Sequence, residues 1–213
     1  MSFDGDLYPT AGANVVMTTK GDLVDYDTSR QRLGIGSTNQ ILTVTAGLPA
    51  WEDAGGSGAM TQLVQVTSSG DTTSLSSGTI TASDHLYYEI HTPVDSSGQD
   101  YGLQFNADTG TNYDNRYSTN DGSDSTNTGA TFLRTGITAD SQGFAFGHIK
   151  NIASVEKLLI SRGQIKTAGA NAPDRRMGYG GWENTSDQIT SIQLLREGSA
   201  MVNGIVFTIW SYT

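Results

Sequence analysis

Short runs in which apolar and polar residues alternate recur along this chain, separated by clusters of Gly, Ser, Thr, Asn and Asp. Successive side chains of a strand point to opposite faces, so a run of period two can bury one face as a strand and not as a helix. Such runs occupy residues 62–67, 85–91, 101–105, 131–134, 143–150, 157–166, 188–196 and 204–212. Only residues 151–161 and 189–196 offer one helical-looking face, and both also fit a buried strand. The 22 Ser and 27 Thr lie in the alternating stretches rather than in one tail, which favours strands and turns over disorder. No repeat with a period of about 20 to 50 residues is visible, which disfavours a propeller or solenoid. The expectation is an all-β chain whose later strands form a β-sandwich, jelly-roll-like in their spacing. Residues 205–212 carry apolar groups on both faces, as a central strand or one packed against another subunit would. Residues 108–127 are the most polar stretch and read as a long exposed loop or a hairpin with a wide tip.

Gly55-Gly56-Ser57-Gly58 has the composition of a flexible linker and divides the chain. Residues 1–54 precede it and residues 59–213 follow it, as a β-sandwich. A piece of about 54 residues struggles to bury a sufficient core without a metal, a disulfide or a partner. The chain has no cysteine, so a partner subunit is the expected help. The same absence removes thiolate zinc sites, iron–sulfur clusters and Cys nucleophiles.

With 12 Lys and Arg against 22 Asp and Glu the formal charge is −10. Phosphate backbones are held by clustered cations that release counterions, so nucleic acid is not an expected partner. The opening residues MSFDGDLYPT lack a basic region followed by an apolar core, and no run approaches the ~18 apolar residues of a membrane span. Neither a cleaved signal nor a membrane anchor is expected.

A hydroxyl nucleophile needs a base, and the histidines are His85, His91 and His148. No Gly-x-Ser-x-Gly elbow surrounds any serine. Gly34-Ile35-Gly36 has Asn39 where a dinucleotide site has its third glycine, and it reads as a turn. Strand geometry puts His85, Tyr87, Glu89 and His91 on one face. The outer pair stands roughly 20 Å apart at ~3.3 Å per residue, so one ion cannot touch both, and a solvated strand face is the expected role. Asp108 to Asp114 spaces oxygen-bearing side chains in a way that suits calcium, yet Thr119 falls where an EF-hand has its bidentate acid. A turn held by Asx hydrogen bonds is the favoured reading. Glycosidase chemistry needs a defined carboxylate pair, and no motif selects one. Tyr113, Tyr117, Tyr179 and Trp182 lie beside Gly, Asn or Asp, where they would stack on a glycan or lock loops and subunit contacts. Asn184-Thr185-Ser186 reads as a coincidental sequon, and Arg175-Arg176 as a local ion-pair former. No catalytic residue, metal or cofactor is expected, and the chain is not expected to be an enzyme.

Thr18-Thr19-Lys20-Gly21-Asp22-Leu23, Arg32-Leu33-Gly34-Ile35-Gly36, Gln40-Ile41-Leu42-Thr43-Val44 and Gly47-Leu48-Pro49-Ala50-Trp51 together resemble a module common in tailed-virus (bacteriophage) fibres and other virion surface proteins. Such modules join a particle-attached end to a variable outer domain, often as an intertwined trimer. The resemblance implies tight turns at Gly34 and Gly36. It implies an attachment and trimer seam of Leu23, Leu33, Ile35, Ile41 and Leu42, closed by Trp51. Tyr101 to Asp108 with Asn112-Tyr113 and Arg116-Tyr117-Ser118 is similar to β-sandwich outer domains of phage structural proteins, with Gln104 near the position where those often carry Arg. The implied function is a homotrimeric capsid decoration, cement or head-fibre protein. Its partners would be the major capsid protein and itself, on the capsid surface of a virion assembled in the host cytoplasm. A tail-fibre or receptor-binding protein that recognises host surface glycans is the alternative.

Overall fold

The computed structural model describes residues 20, 23–26, 30–53, 60–70, 72–94, 98–138, 142–166 and 172–212. The chain divides into two compact units, Met1–Ser57 and Gly58–Thr213. Among the described residues no helix occurs.

The first unit holds two antiparallel pairs, β1 (Leu23–Tyr26) with β2 (Arg30–Leu33) and β3 (Gln40–Thr45) with β4 (Leu48–Asp53). Ala46 and Gly47 form the two-residue turn between β3 and β4, with φ of 52° and 85°. Positive φ at both central residues is what a type I′ hairpin demands, because its twist matches that of the strands. Gly34 and Gly36 lie in an irregular stretch and the turn falls at Thr38-Asn39, which corrects the expectation of tight turns at the two glycines. A Cβ on Gly36 would lie 2.6 Å from the Trp51 ring, and the Trp51 indole Nε1 donates to the Gly34 carbonyl at 2.7 Å. The glycine at 36 is therefore required by the approach of the tryptophan.

The second unit contains β5 (Met60–Ser69), β6 (Ser74–Ser76), β7 (His85–Thr92), β8 (Asp100–Phe105), β9 (Tyr113–Thr119), β10 (Ser125–Ala130), β11 (Leu133–Thr138), β12 (Gln142–Lys150), β13 (Lys157–Lys166), β14 (Asp174–Trp182), β15 (Ile192–Arg196) and β16 (Asn203–Tyr212). They form an eight-stranded antiparallel sheet in the order β10-β9-β14-β13-β12-β7-β16-β5 and a four-stranded one in the order β11-β8-β15-β6. Strand β11 lies against β12, β13 and β14 of the large sheet. Leu86, Tyr88, Ile90, Leu159, Phe207 and Ile209 of the large sheet and Leu103, Phe105, Leu133, Ile192 and Leu194 of the small one are buried in a common core. The architecture is all-β, with antiparallel sheets stacked in a sandwich-like way. Strand β16 has two neighbours, β7 and β5, as its two apolar faces anticipate.

Strand β13 alternates strictly between buried and open positions, and its bounds coincide with the sequence pattern. Residues 188–191, read as the start of a strand, are instead gripped by side chains. Asn106 Oδ1 accepts from Thr190 N at 2.8 Å and Asn151 Oδ1 accepts from Ile189 N at 2.6 Å. The polar stretch 108–127 is a hairpin rather than a loop, carrying β9 and the start of β10. The glycine-rich strand β14 was without a sequence signal.

The two sheets meet backbone to backbone at one point. A Cβ on Gly163 of β13 would lie 2.1 Å from the carbonyl oxygen of Gly136 in β11, which itself holds φ at 77°. Neither neighbour is a side chain that can rotate away. Gly163→Ala is expected to destabilise the second unit by about 1–3 kcal/mol through overpacking. Urea unfolding followed by tryptophan fluorescence measures this, with Ser125→Ala on the exposed edge strand β10 as a control expected within about 0.5 kcal/mol of wild type.

Candidate interaction surfaces

The small sheet covers one face of the large sheet and leaves the other open. The open face is built by register. Trp210, Tyr87, His148, Ile160 and Tyr179 stand in one row across β16, β7, β12, β13 and β14. Thr208, Glu89, Phe146, Arg162 and Met177 form the next row, and Val206, His91, Phe144, Gln164 and Arg175 the one beyond. Rings in these rows touch: Tyr87 lies 5.0 Å from His148 and 5.5 Å from Trp210, and Phe144 lies 5.7 Å from Phe146 and 4.8 Å from His91, between centroids. Leu158, Ile160 and Tyr179 are each close to half exposed. A trough of about 680 Å³ runs among His85, His148, Lys150, Leu158, Ile160 and Tyr212. A contiguous aromatic and aliphatic tray of this kind marks a contact surface, because monomers rarely leave a large apolar patch in water.

Strand β12 explains why the tray faces outward. Three of its four inward positions are the small residues Gly143, Ala145 and Gly147, the fourth being Ile149, and its outward positions include Phe144 and Phe146. The inside has no room for large groups there, since a Cβ on Gly147 would lie 2.5 Å from the Tyr88 ring and one on Gly143 2.6 Å from Ile137. Small-inside, aromatic-outside is the reverse of an ordinary amphipathic strand and is the sequence signal that the pattern reading passed over.

The positively charged side chains Arg116, Lys150, Arg162, Lys166 and Arg175 sit on this face with the carboxylates of Glu89, Asp114 and Glu156. Arg116 pairs with Asp124 at 3.1 Å and Arg175 with Asp121. Among the described residues Lys150 and Arg162 have no ion-pair partner. The face of His85, Tyr87, Glu89 and His91 is open as the alternation anticipates, with His91 Nε2 3.8 Å from Glu89 Oε2. Tyr87 donates to Glu89 at 3.1 Å, and partial burial together with that carboxylate pushes its hydroxyl up to about 12. Among the described residues no three His, Asp or Glu side chains gather as a metal site.

The four aromatics weighed as glycan contacts separate. Tyr179 is exposed on the open face and Tyr117 is half-buried beneath Arg134, whose guanidinium lies 4.9 Å from its ring centre. Tyr113 and Trp182 are buried in the core, which corrects the expectation that they stand at the surface. Their rings stack at 6.3 Å, and Phe105 meets Trp182 edge-on at 5.7 Å. Both polar tips are used internally. Tyr113 donates to the Asp108 carbonyl and accepts from Phe105 N, each at 3.0 Å, and burial pushes its hydroxyl up to about 12. Trp182 Nε1 donates to Asp108 Oδ2 at 2.7 Å. The same carboxylate accepts from Gly110 N at 2.8 Å and Asn112 Nδ2 at 2.9 Å. Asp108 is thus the Asx-type lock of the 108–112 turn and ties it to the core.

The first unit presents a second apolar surface. None of residues 20, 23 and 32–53 is buried. Leu23, Ile41 and Leu42 are 40%, 51% and 46% exposed, Ile35 is 57% exposed, and Val44, outside the expected seam, is 75% exposed. Leu33 and Trp51 are half-buried.

Hydrogen bonds from Asn112 and then Trp182 hold the Asp108 carboxyl below its ordinary range. A depressed folded pKa stabilises the fold above the unfolded value of about 3.9, and the contribution is lost as pH falls through the lower folded value. Asp108→Ala leaves the Trp182 N–H without its acceptor and is expected to cost about 1–3 kcal/mol near neutral pH. The gap to wild type is expected to narrow below the carboxylate range, as read by urea unfolding at a series of pH values.

No family model matches this chain, and no curated protein or solved structure is significantly similar to it.

Proposed function

We propose that the chain is a structural accessory subunit of a virus particle, a homotrimer that decorates, cements or forms head fibres on the capsid. Residues 1–54 attach to the major capsid protein and intertwine with their counterparts. Residues 59–213 project outward as a jelly-roll-like β-sandwich, and the protein carries out no catalysis. The observation that carries this reading is the first unit, in which none of residues 23 and 32–53 is buried and Leu23, Ile35, Ile41, Leu42 and Val44 face water. Two-stranded hairpins are marginal in water, so a unit of this kind gains its stability from apolar surface covered by other chains. Burying about 1,000 Å² of that surface contributes roughly 25 kcal/mol gross before the costs of association.

The resemblance of residues 18–51 to attachment modules of virion surface proteins points the same way. The charge of −10 keeps crowded copies soluble and apart. The alternative of host-glycan recognition by a tail fibre loses two of its four aromatics to the core and retains Tyr179 as its exposed ring.

Light scattering of the full chain is expected to give the mass of a trimer. Residues 59–213 alone are expected to stay folded and soluble and to bind no particles in a sedimentation assay. Ile41→Asp combined with Val44→Asp is expected to abolish both trimer and particle binding with the circular dichroism of the second unit unchanged. Particle binding by residues 59–213 alone would move the attachment role to that unit.

A further inference from the structure

We propose that the open face of the eight-stranded sheet is an intersubunit contact, packing head to tail against the acidic surface of a second copy of this chain. The inference rests on the homotrimer reading and assigns it a second interface. Size is the first argument. Six strands, β9, β14, β13, β12, β7 and β16, span roughly 29 Å at ~4.8 Å spacing, and eight residues of strand rise roughly 27 Å. That footprint of about 780 Å² matches the ~800 Å² per partner of a standard specific interface.

Chemistry is the second argument. The centre of the face is Tyr87, Phe146, His148, Ile160 and Tyr179, and its charged members include Lys150 and Arg162, which have no ion-pair partner among the described residues. Arg116 and Arg175 are met by Asp124 and Asp121, which leaves Lys150 and Arg162 as cations of the face without an ion-pair partner among the described residues, on a chain whose formal charge is −10. The complementary surface is therefore already present on every copy.

The same charges decide the geometry. A twofold contact would set two copies of this face, each with Lys150 and Arg162 unpaired, against one another and bring no surplus of carboxylates to meet those cations. A head-to-tail contact sets cation against carboxylate, and when its rotation closes it makes a ring.

The chain lacks cysteine, so Ile160→Cys supplies a single reporter thiol on the face, Phe144→Cys a second, and Ser125→Cys an exposed control on β10. In full-length protein at low salt, both face thiols are expected to react with a maleimide at least about tenfold more slowly than the control. Arg162→Glu or high salt should bring the rates together. Light scattering of the same samples separates the outcomes. Trimers whose face thiols react as fast as the control would overturn this contact and leave the trimer standing. Monomers at all concentrations would overturn both. Rapid oxidation to dimers linked through residue 160 would place two copies of that residue together and overturn the head-to-tail arrangement.

Discussion

Eight strands stand side by side in the large sheet and four in the small one. At ~4.8 Å per strand the small sheet spans about half the width of one face of the large sheet and none of the other. Everything else in the second unit answers to that mismatch. On the inner side, loop residues Ile80, Ile189 and Met201 join the core and extend the cover beyond the strands. The loops that carry them are in turn held by polar side chains. Asn151, fully buried, donates to Ser83 O at 2.9 Å and accepts from Ile189 N, while Asn106 donates to Gln188 O at 2.9 Å. Lys157, also buried by its neighbours, donates through Nζ to Val155 O at 2.8 Å and Asn184 O at 3.0 Å, and desolvation lowers its pKa. Each of these groups satisfies backbone carbonyls or amides that no strand partner reaches, which keeps the loops in place without a ladder.

On the outer side no second layer exists within the described residues, and the sheet meets water with its aromatic tray. The inner glycines of β12 and the Gly136–Gly163 contact let the sheets approach closely, and alternation places Phe144 and Phe146 on the outer face. Tight packing inside and an apolar surface outside are thus one feature of the chain.

The strands most legible in the sequence were those with one buried face and strict alternation, β7, β12 and β13, together with β16, whose apolar groups lie on both faces. Those that escaped have a physical reason to do so. Strand β14 has Gly178, Gly180 and Gly181 among its nine residues, and its inward glycines make room for Ser161 and Leu133 rather than contribute apolar surface of their own. Strand β10 is an exposed edge strand, five of whose six residues are open to water, so no hydrophobic period marks it. The site was legible only in part. His85, Tyr87, Glu89 and His91 were placed on one face from period two alone. Their neighbours Phe146, Arg162, Ile160 and Tyr179 come from strands 55 to 90 residues further along, brought into the same rows by pairing that a single chain does not reveal. Trp182 was read from its polar flanks, which its Asp108 partner accounts for: a polar neighbourhood surrounds the indole N–H while the ring lies in the core.

In the proposed assembly, two kinds of surface divide the work of association by their physics. The first unit offers aliphatic groups, Ile35, Ile41, Leu42 and Val44, whose contribution follows buried area and is nearly indifferent to salt. The open sheet face offers aromatic groups with Lys150 and Arg162 among them, and its contribution falls as ionic strength screens those charges. An assembly that uses both loses the contacts of its outer faces first when salt is raised, with the aliphatic seam still closed. Its apparent stability also depends on protein concentration, because folded first units and paired chains are populated together.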